Sequence, residues 1–249
     1  MKKYFAAMLL AVLATVVALP LMAAQQTPQP PSGPAPRTPS GKVDFSGVWE
    51  KPYVPDMTKD GKNQKGVAEL PFTPWGAADW KSYDAAEGDY TGACLPFGLT
   101  RSVNSPFPTQ IVQTDTYFAF LFEQNSWFVS VPLDGRTHRK DATWFGDSVG
   151  HWDGDTLVID TANFNGKTRL DTVGHPHSDQ LHVVQRFTRP DLGHISYEVT
   201  VDDPKTFTKS WTNTRTFTLR PDWEIMEYSC EENNKSLWEG RIKVPKYPK

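Results

Sequence analysis

Between Asp171 and Arg186 the sequence sets His175, His177, Asp179 and His182 close together. Histidine titrates near neutrality, so an imidazole can both take and give a proton. A nearby carboxylate, Asp171 or Asp179, can fix the tautomer of such a ring, and Arg186 or the distant Arg101 can stabilise an oxyanion or phenolate as charge develops. The residue types predict a metal-free acid–base site with His177 as proton carrier and Asp171, Arg101 and Arg186 as its catalytic partners. His175, Asp179, His182, Trp144 and Tyr197 are the expected ligand contacts. Each also has an ordinary reading: a histidine at a strand start is more often structural, and an arginine more often pairs with a carboxylate. A His-x-His pair on an extended segment places both rings on one side, as a metal site requires. Asp179 follows too soon to complete a cupin-like ligand set, so no metal and no other cofactor is expected.

Other chemistries lack their motifs. Gly146-Asp147-Ser148-Val149-Gly150 has the Gly-x-Ser-x-Gly spacing but lacks the strand-to-helix context of a nucleophilic serine, and there is no complete Gly-x-x-x-x-Gly-Lys-Ser/Thr phosphate loop and no dinucleotide fingerprint. Asp202-Asp203 precedes Pro204 and reads as a turn. No run of Lys or Arg appears, which argues against nucleic acid, whose phosphates need clustered cations.

Elements that could hold such a site on facing walls are mostly strands. Thr109 to Glu123 carries two apolar runs separated by Thr114-Asp115-Thr116, which suggests a hairpin, and Ser126 to Leu133 alternates up to Pro132. Val149–Trp152 and Thr156–Thr161 flank Asp153-Gly154, the chemistry of a two-residue hairpin turn with φ > 0 at both positions. Further strands are expected at His182–Thr188, Ile195–Val201, Arg215–Leu219 and Trp223–Ser229. Ile195, Tyr197, Val199 and Val201 share one face and Ser196, Glu198 and Thr200 the other, so one face is buried. Pro74 to Ala86 can form one short helix, since Pro is tolerated at a helix start. Successive short antiparallel strands must manage their edges, and closure removes them. The expected fold is an all-β, lipocalin-like antiparallel barrel, with a β-sandwich as the competitor. The 9 Trp, 8 Tyr and 14 Phe exceed what a small core needs and suggest a cavity lining.

The ends of the chain suggest where it works. Residues 1–24 have a charged start at Lys2-Lys3, an apolar run closed by Pro20 and small residues at Ala23-Ala24, the pattern of a secretory signal peptide. Its loss takes the formal charge from -3 to -5. Residues 25–42 are rich in Pro, Ser, Gly and Gln and read as a disordered spacer, leaving 43–249 as one domain. No second apolar span follows, so no membrane insertion is expected after cleavage. Cys94 and Cys230, an even pair far apart in an exported chain, read as a disulfide. A periplasmic or secreted location follows; the oligomeric state does not.

Several phrases together resemble a family of exported bacterial proteins, largely uncharacterised. They include Asp44-Phe45-Ser46-Gly47-Val48-Trp49, Leu70-Pro71-Phe72-Thr73-Pro74-Trp75-Gly76 and Cys94-Leu95-Pro96-Phe97-Gly98. Gly146 to Thr161, Gly174-His175-Pro176-His177-Ser178-Asp179 and Glu227-Tyr228-Ser229-Cys230-Glu231-Glu232-Asn233 continue the pattern over nearly the whole mature chain. The resemblance implies a lipocalin-like barrel with a small-molecule pocket, and reaches distantly to periplasmic lyases that release formaldehyde from lignin-derived aromatic dimers. The family pattern has Glu-Arg where this chain has Gln185-Arg186. The functional expectation is a cofactor-independent lyase or isomerase acting on a small apolar, aromatic molecule, or else a non-catalytic carrier or sensor of such a ligand.

Overall fold

Alternation of apolar and polar side chains, with turn residues between the runs, folds most of this chain into one antiparallel sheet. The structure is a computed structural model that describes residues 28–85 and 89–242; residues 1–24, with the expected leader, lie outside them. Ten strands form: β1 Gly47–Glu50, β2 Gln64–Lys65, β3 Thr109–Gln113, β4 Tyr117–Phe122, β5 Phe128–Pro132, β6 Asp147–Asp153, β7 Thr156–Ala162, β8 His182–Thr188, β9 His194–Asp202 and β10 Trp211–Leu219. Their order is β5-β4-β3-β1-β10-β9-β8-β7-β6, with β2 paired onto β10. Every pairing is antiparallel, and the nine-strand path curls into a nearly closed barrel rather than a sandwich.

The gap in closure follows from counting. Nine alternating strands leave the two end strands, β5 and β6, pointing the same way, and parallel neighbours need a long crossover. Residues 133–146 supply it. No hydrogen bonds join β5 to β6; side chains close the seam instead. A Cβ on Gly150 would lie 2.5 Å from Leu133 Cδ2 and 3.1 Å from Val131 Cγ1, so glycine is what lets β6 approach β5.

Short turns lie at one end of the barrel and long loops at the other. At the tight end, Asp153 pairs with Thr156, so the two central residues are Gly154-Asp155. Of these only Gly154 has positive φ, at 61°. The turn is thus the Gly-first type, not the Asp-Gly turn expected one position earlier. Residues 28–42, expected to be a disordered spacer, lie across this end. Arg37 pairs with Asp155 at 2.7 Å, Leu192 N donates to Gly33 O, and Ser40 Oγ donates to Asp115. Composition missed these contacts because they use backbone groups, a hydroxyl and a single cation, not apolar surface.

The interior of the tight half is solid aromatic packing. Phe45 meets Phe118, Trp152 and Phe187, while Tyr197 stacks on Phe217 at 5.0 Å. The excess rings therefore fill this half rather than line it. The other end carries the long connections 51–108 and 163–181. Within them, helix α1 (Pro74–Ser82) is capped by Thr73 Oγ1, which accepts from Gly76 N. A second helix, α2 (Leu99–Asn104), has all six residues buried and was not visible in the sequence. Cys94 and Cys230 are joined, with Cα atoms 5.6 Å apart. Trp223–Ser229, expected as a strand, forms none: β10 is already paired on both sides and offers no edge. A short helix, α3 (Lys235–Trp238), follows it. Among the described residues no helix is long and apolar enough to cross a membrane.

Candidate functional site

Strand parity decides which side chains enter the barrel. In β8, Gln185 shares a face with Val183 and Phe187; in β9, Tyr197 with Ile195 and Val199; in β10, Asn213 and Arg215 with Trp211, Phe217 and Leu219. All of these point inward and are buried. Just past β1, Lys51 keeps the parity of Trp49 and is buried too. Polar groups thus occupy the half of the barrel nearest the long loops.

All but Lys51 form a connected network. Gln185 Nε2 donates to Tyr197 Oη at 2.9 Å, and the Arg215 guanidinium lies 5.5 Å from the Tyr197 ring centroid. Arg215 Nε donates to Asn213 Oδ1, and Asn213 Nδ2 donates to Met57 O. Met57 N donates to Asp171 Oδ2, which also bonds His175 Nδ1 at 2.6 Å. Asn104, from α2, donates to Leu170 O beside Asp171. Lys51 Nζ donates to Thr109 Oγ1 at 2.7 Å and to Phe107 O.

Burial sets the proton affinities here. Desolvation first, then the neighbouring Arg215 charge, bring the Lys51 amine down to about 7 against the opposing pull of Glu123. Burial likewise lowers Arg215 to about 10, although Tyr197 and Asp171 work the other way. The Tyr197 phenol is raised by burial, so it stays protonated and can donate. The half-barrel therefore holds an amine that titrates near neutrality, a phenolic donor and a guanidinium.

Two of the residues expected for catalysis or ligand contact, Asp171 and His175, meet as a hydrogen-bonded pair, and Tyr197 joins their network. The others do not converge with them. Arg101 is held by Asp89 at 2.7 and 3.1 Å over the rings of Tyr90 and Phe97. Arg186 pairs with Asp153 on the outer face at 2.8 Å, and His182, also outside, bonds Asp160 at 2.9 Å. Asp179 is exposed, and half-buried Trp144 has the Lys167 ammonium 5.8 Å from its ring.

His177 is buried with both ring nitrogens engaged. Thr168 Oγ1 lies 2.6 Å from Nε2 and the Ser178 carbonyl 2.9 Å from Nδ1. Burial lowers its pKa, partly offset by the Ser178 carbonyl and Asp203, which favours the neutral ring. A ring so placed holds the 163–181 loop together. His177→Ala is expected to cost about 1–3 kcal/mol, the size of leaving buried partners unmet. A urea titration checks this, and an unchanged midpoint would show that the ring is not a structural tie.

Among the described residues, His175, His177 and His182 do not converge on one point. His175 and His177 face different neighbours, the first Trp80 at 4.6 Å and the second Phe164 at 6.0 Å, and His182 is on the outer wall. Ligand atoms of Asp56, Asp171 and His175 do lie within 4.8 Å of one another. However, Asp171 and His175 bond each other, and Asp56 Oδ1 accepts from Thr58 N and Oγ1.

No protein-family model, curated protein or solved structure matches this chain. The site has to be read from its own chemistry. Lys51, Asn213, Arg215 and Gln185 were not among the expected functional residues, yet parity with neighbouring apolar residues marks the last three as inward-facing.

Proposed function

We propose that the chain is an exported, periplasmic or secreted, cofactor-independent lyase or isomerase that performs acid–base chemistry on a small aromatic molecule held in the polar half of the barrel. The observation that carries this reading is Lys51: a buried amine, brought to about 7, beside a buried guanidinium. A group titrating near the working pH is the most effective proton carrier. The disulfide supports an oxidising compartment.

In its sharpest form the reaction is a retro-aldol cleavage, in line with the resemblance to formaldehyde-releasing lyases. Neutral Lys51 takes the proton of a hydroxymethyl group on the substrate. The C–C bond breaks as the C–O bond becomes a carbonyl, and formaldehyde leaves. The electron pair of the broken bond forms a C=C bond and expels a leaving group from the next carbon, which an acid protonates; the buried Tyr197 phenol is such a donor. Arg215 stabilises the oxygen on which negative charge grows.

The test offers lignin-type aromatic dimers with a hydroxymethyl side chain to the full mature chain and assays formaldehyde alongside mass spectrometry of the products. Turnover is expected to rise with pH through about 7, as Lys51 loses its proton. Lys51→Met should melt like wild type but turn over about 10²–10⁴-fold more slowly, without that limb in its pH profile. Equal turnover by the variant rejects Lys51, and unaltered dimers reject the lyase. Binding without turnover would favour the second reading, a non-catalytic carrier. That reading draws on the way His175, Asp171 and His177 spend their hydrogen bonds on the protein itself.

A further inference from the structure

A buried cation ordinarily has a carboxylate against it, because an uncompensated charge in a low-dielectric interior is costly. Arg215 departs from this rule. It is only 3% exposed, its Nε is spent on the neutral amide of Asn213, and its Nη2 is buried without a hydrogen-bond partner. Among the described residues no carboxylate forms an ion pair with it, whereas buried Arg101 and Arg220 each have one and buried Arg189 spends its donors on the carbonyls of Asp44, Asp191 and Leu192. The nearest acid in the network, Asp171, already accepts from His175 and Met57 N.

Lys51 is buried and bonds only neutral oxygens, Thr109 Oγ1 and Phe107 O. On the same inner wall, one amide oxygen of Gln185 is also buried and unpartnered, while its amide nitrogen holds Tyr197. The rings of Tyr197 and Phe187, 4.9 Å apart and edge to face, pack beside these groups.

We propose that Arg215 is the anchor of an anion site inside the barrel and that the molecule taken there is a planar aromatic carboxylate bearing a hydroxyl group. The carboxylate receives the free Nη2 donor and supplies the missing counter-charge, while the hydroxyl reaches the open amide oxygen of Gln185. This inference rests on the reading that the polar half of the barrel is the ligand site, and narrows the ligand from aromatic to anionic.

The experiment titrates the full mature chain with 4-hydroxybenzoate and with its neutral counterpart 4-hydroxybenzyl alcohol, by calorimetry at low salt. Wild type is expected to bind the carboxylate about 10- to 100-fold more tightly, the range of a charge-assisted hydrogen bond in a buried site. Arg215→Met, which keeps the bulk of the side chain without the charge, should bind both about equally. Arg215→Lys, which keeps a cation, should retain part of the preference and guards against failure of the Met variant to fold. Equal affinity of wild type for the two compounds overturns the anion anchor yet leaves an aromatic site standing. A preference that survives in Arg215→Met overturns the assignment to Arg215. Binding of neither compound up to millimolar concentration overturns the anchor together with the ligand site it rests on.

Discussion

Asp203→Ala is expected to destabilise the barrel by roughly 3–5 kcal/mol, the usual cost of emptying a buried, fully used charged position. Asp203 is 0% exposed. Its carboxylate oxygens accept from Ser178 N, Ser178 Oγ, Lys205 N, Thr206 N and Thr206 Oγ1. Those donors come from two places: the turn that joins β9 to β10, and the 163–181 loop that carries Asp171 and His175. A single side chain therefore ties the loop to the sheet. Alanine leaves several buried donors unmet at once, each costing about 1–3 kcal/mol before relaxation. Asp202 next door is exposed, so Asp202→Ala should stay within about 0.5 kcal/mol of wild type. Asp203→Asn, with one acceptor oxygen left, should fall between the two. Urea titrations followed by tryptophan fluorescence give all three values. An Asp203→Ala variant within about 1 kcal/mol of wild type would mean the loop is held some other way.

Asp203 also shows where reading the sequence stops. Asp202-Asp203-Pro204 is a turn, as its composition indicates, but composition cannot say that one acid faces solvent and its neighbour collects donors from a loop 25 residues away. Strands were legible for a physical reason. The period-2 alternation in Ile195–Val201 and the apolar run in Tyr117–Phe122 are local consequences of one buried face, so position alone reveals them. β1 escaped notice because Gly47-Val48-Trp49-Glu50 is too short to show a period. In β10, Thr212 to Thr216 shows no alternation of its own, so the inward face is legible only by stepping in twos from Trp211, Phe217 and Leu219.

The site was harder to read for the same reason. His177 and Arg186 stand out in the sequence for what those side chains can do, not for where the sheet sends them. Register sends Arg186 outward and Arg215 inward, although both are arginines in strands. The parity test would have found Arg215, since Phe217 and Leu219 follow it at steps of two, and Gln185 likewise lies between Val183 and Phe187. No local signal could have paired Asp171 with Met57 N, or set Lys51 near Arg215, because those contacts depend on how the long loops close over the barrel.

Reduction of the Cys94–Cys230 bridge is expected to lower stability by roughly 4–5 kcal/mol on the chain-entropy account, because the bond closes a very long loop in the unfolded chain. The two cysteines are 136 residues apart, so the cross-link spans every strand from β3 to β10. That estimate holds only if both ends stay put in the folded protein once the bond is cut; an end that detaches gains freedom in the native state and shrinks the difference. On the Cys94 side, Tyr90 Oη donates to Phe97 O, and Arg101 clamps Asp89. On the Cys230 side the chain is outside the sheet and is held by few contacts. Asn234 Nδ2 donates to Gly92 O, Met226 N to Glu123 Oε2 and Ser126 Oγ to Tyr228 O. The first bridges the same two regions as the disulfide and the other two tie the tail to the β4–β5 connection, so together they are expected to keep the ends in place at low denaturant. The measurement is a pair of urea titrations on oxidised and reduced protein, with limited proteolysis of the reduced, folded protein. A loss below about 1 kcal/mol, with cleavage confined to residues 221–242, would show that the tail peels away first and that the bond pins a segment instead of bracing the barrel.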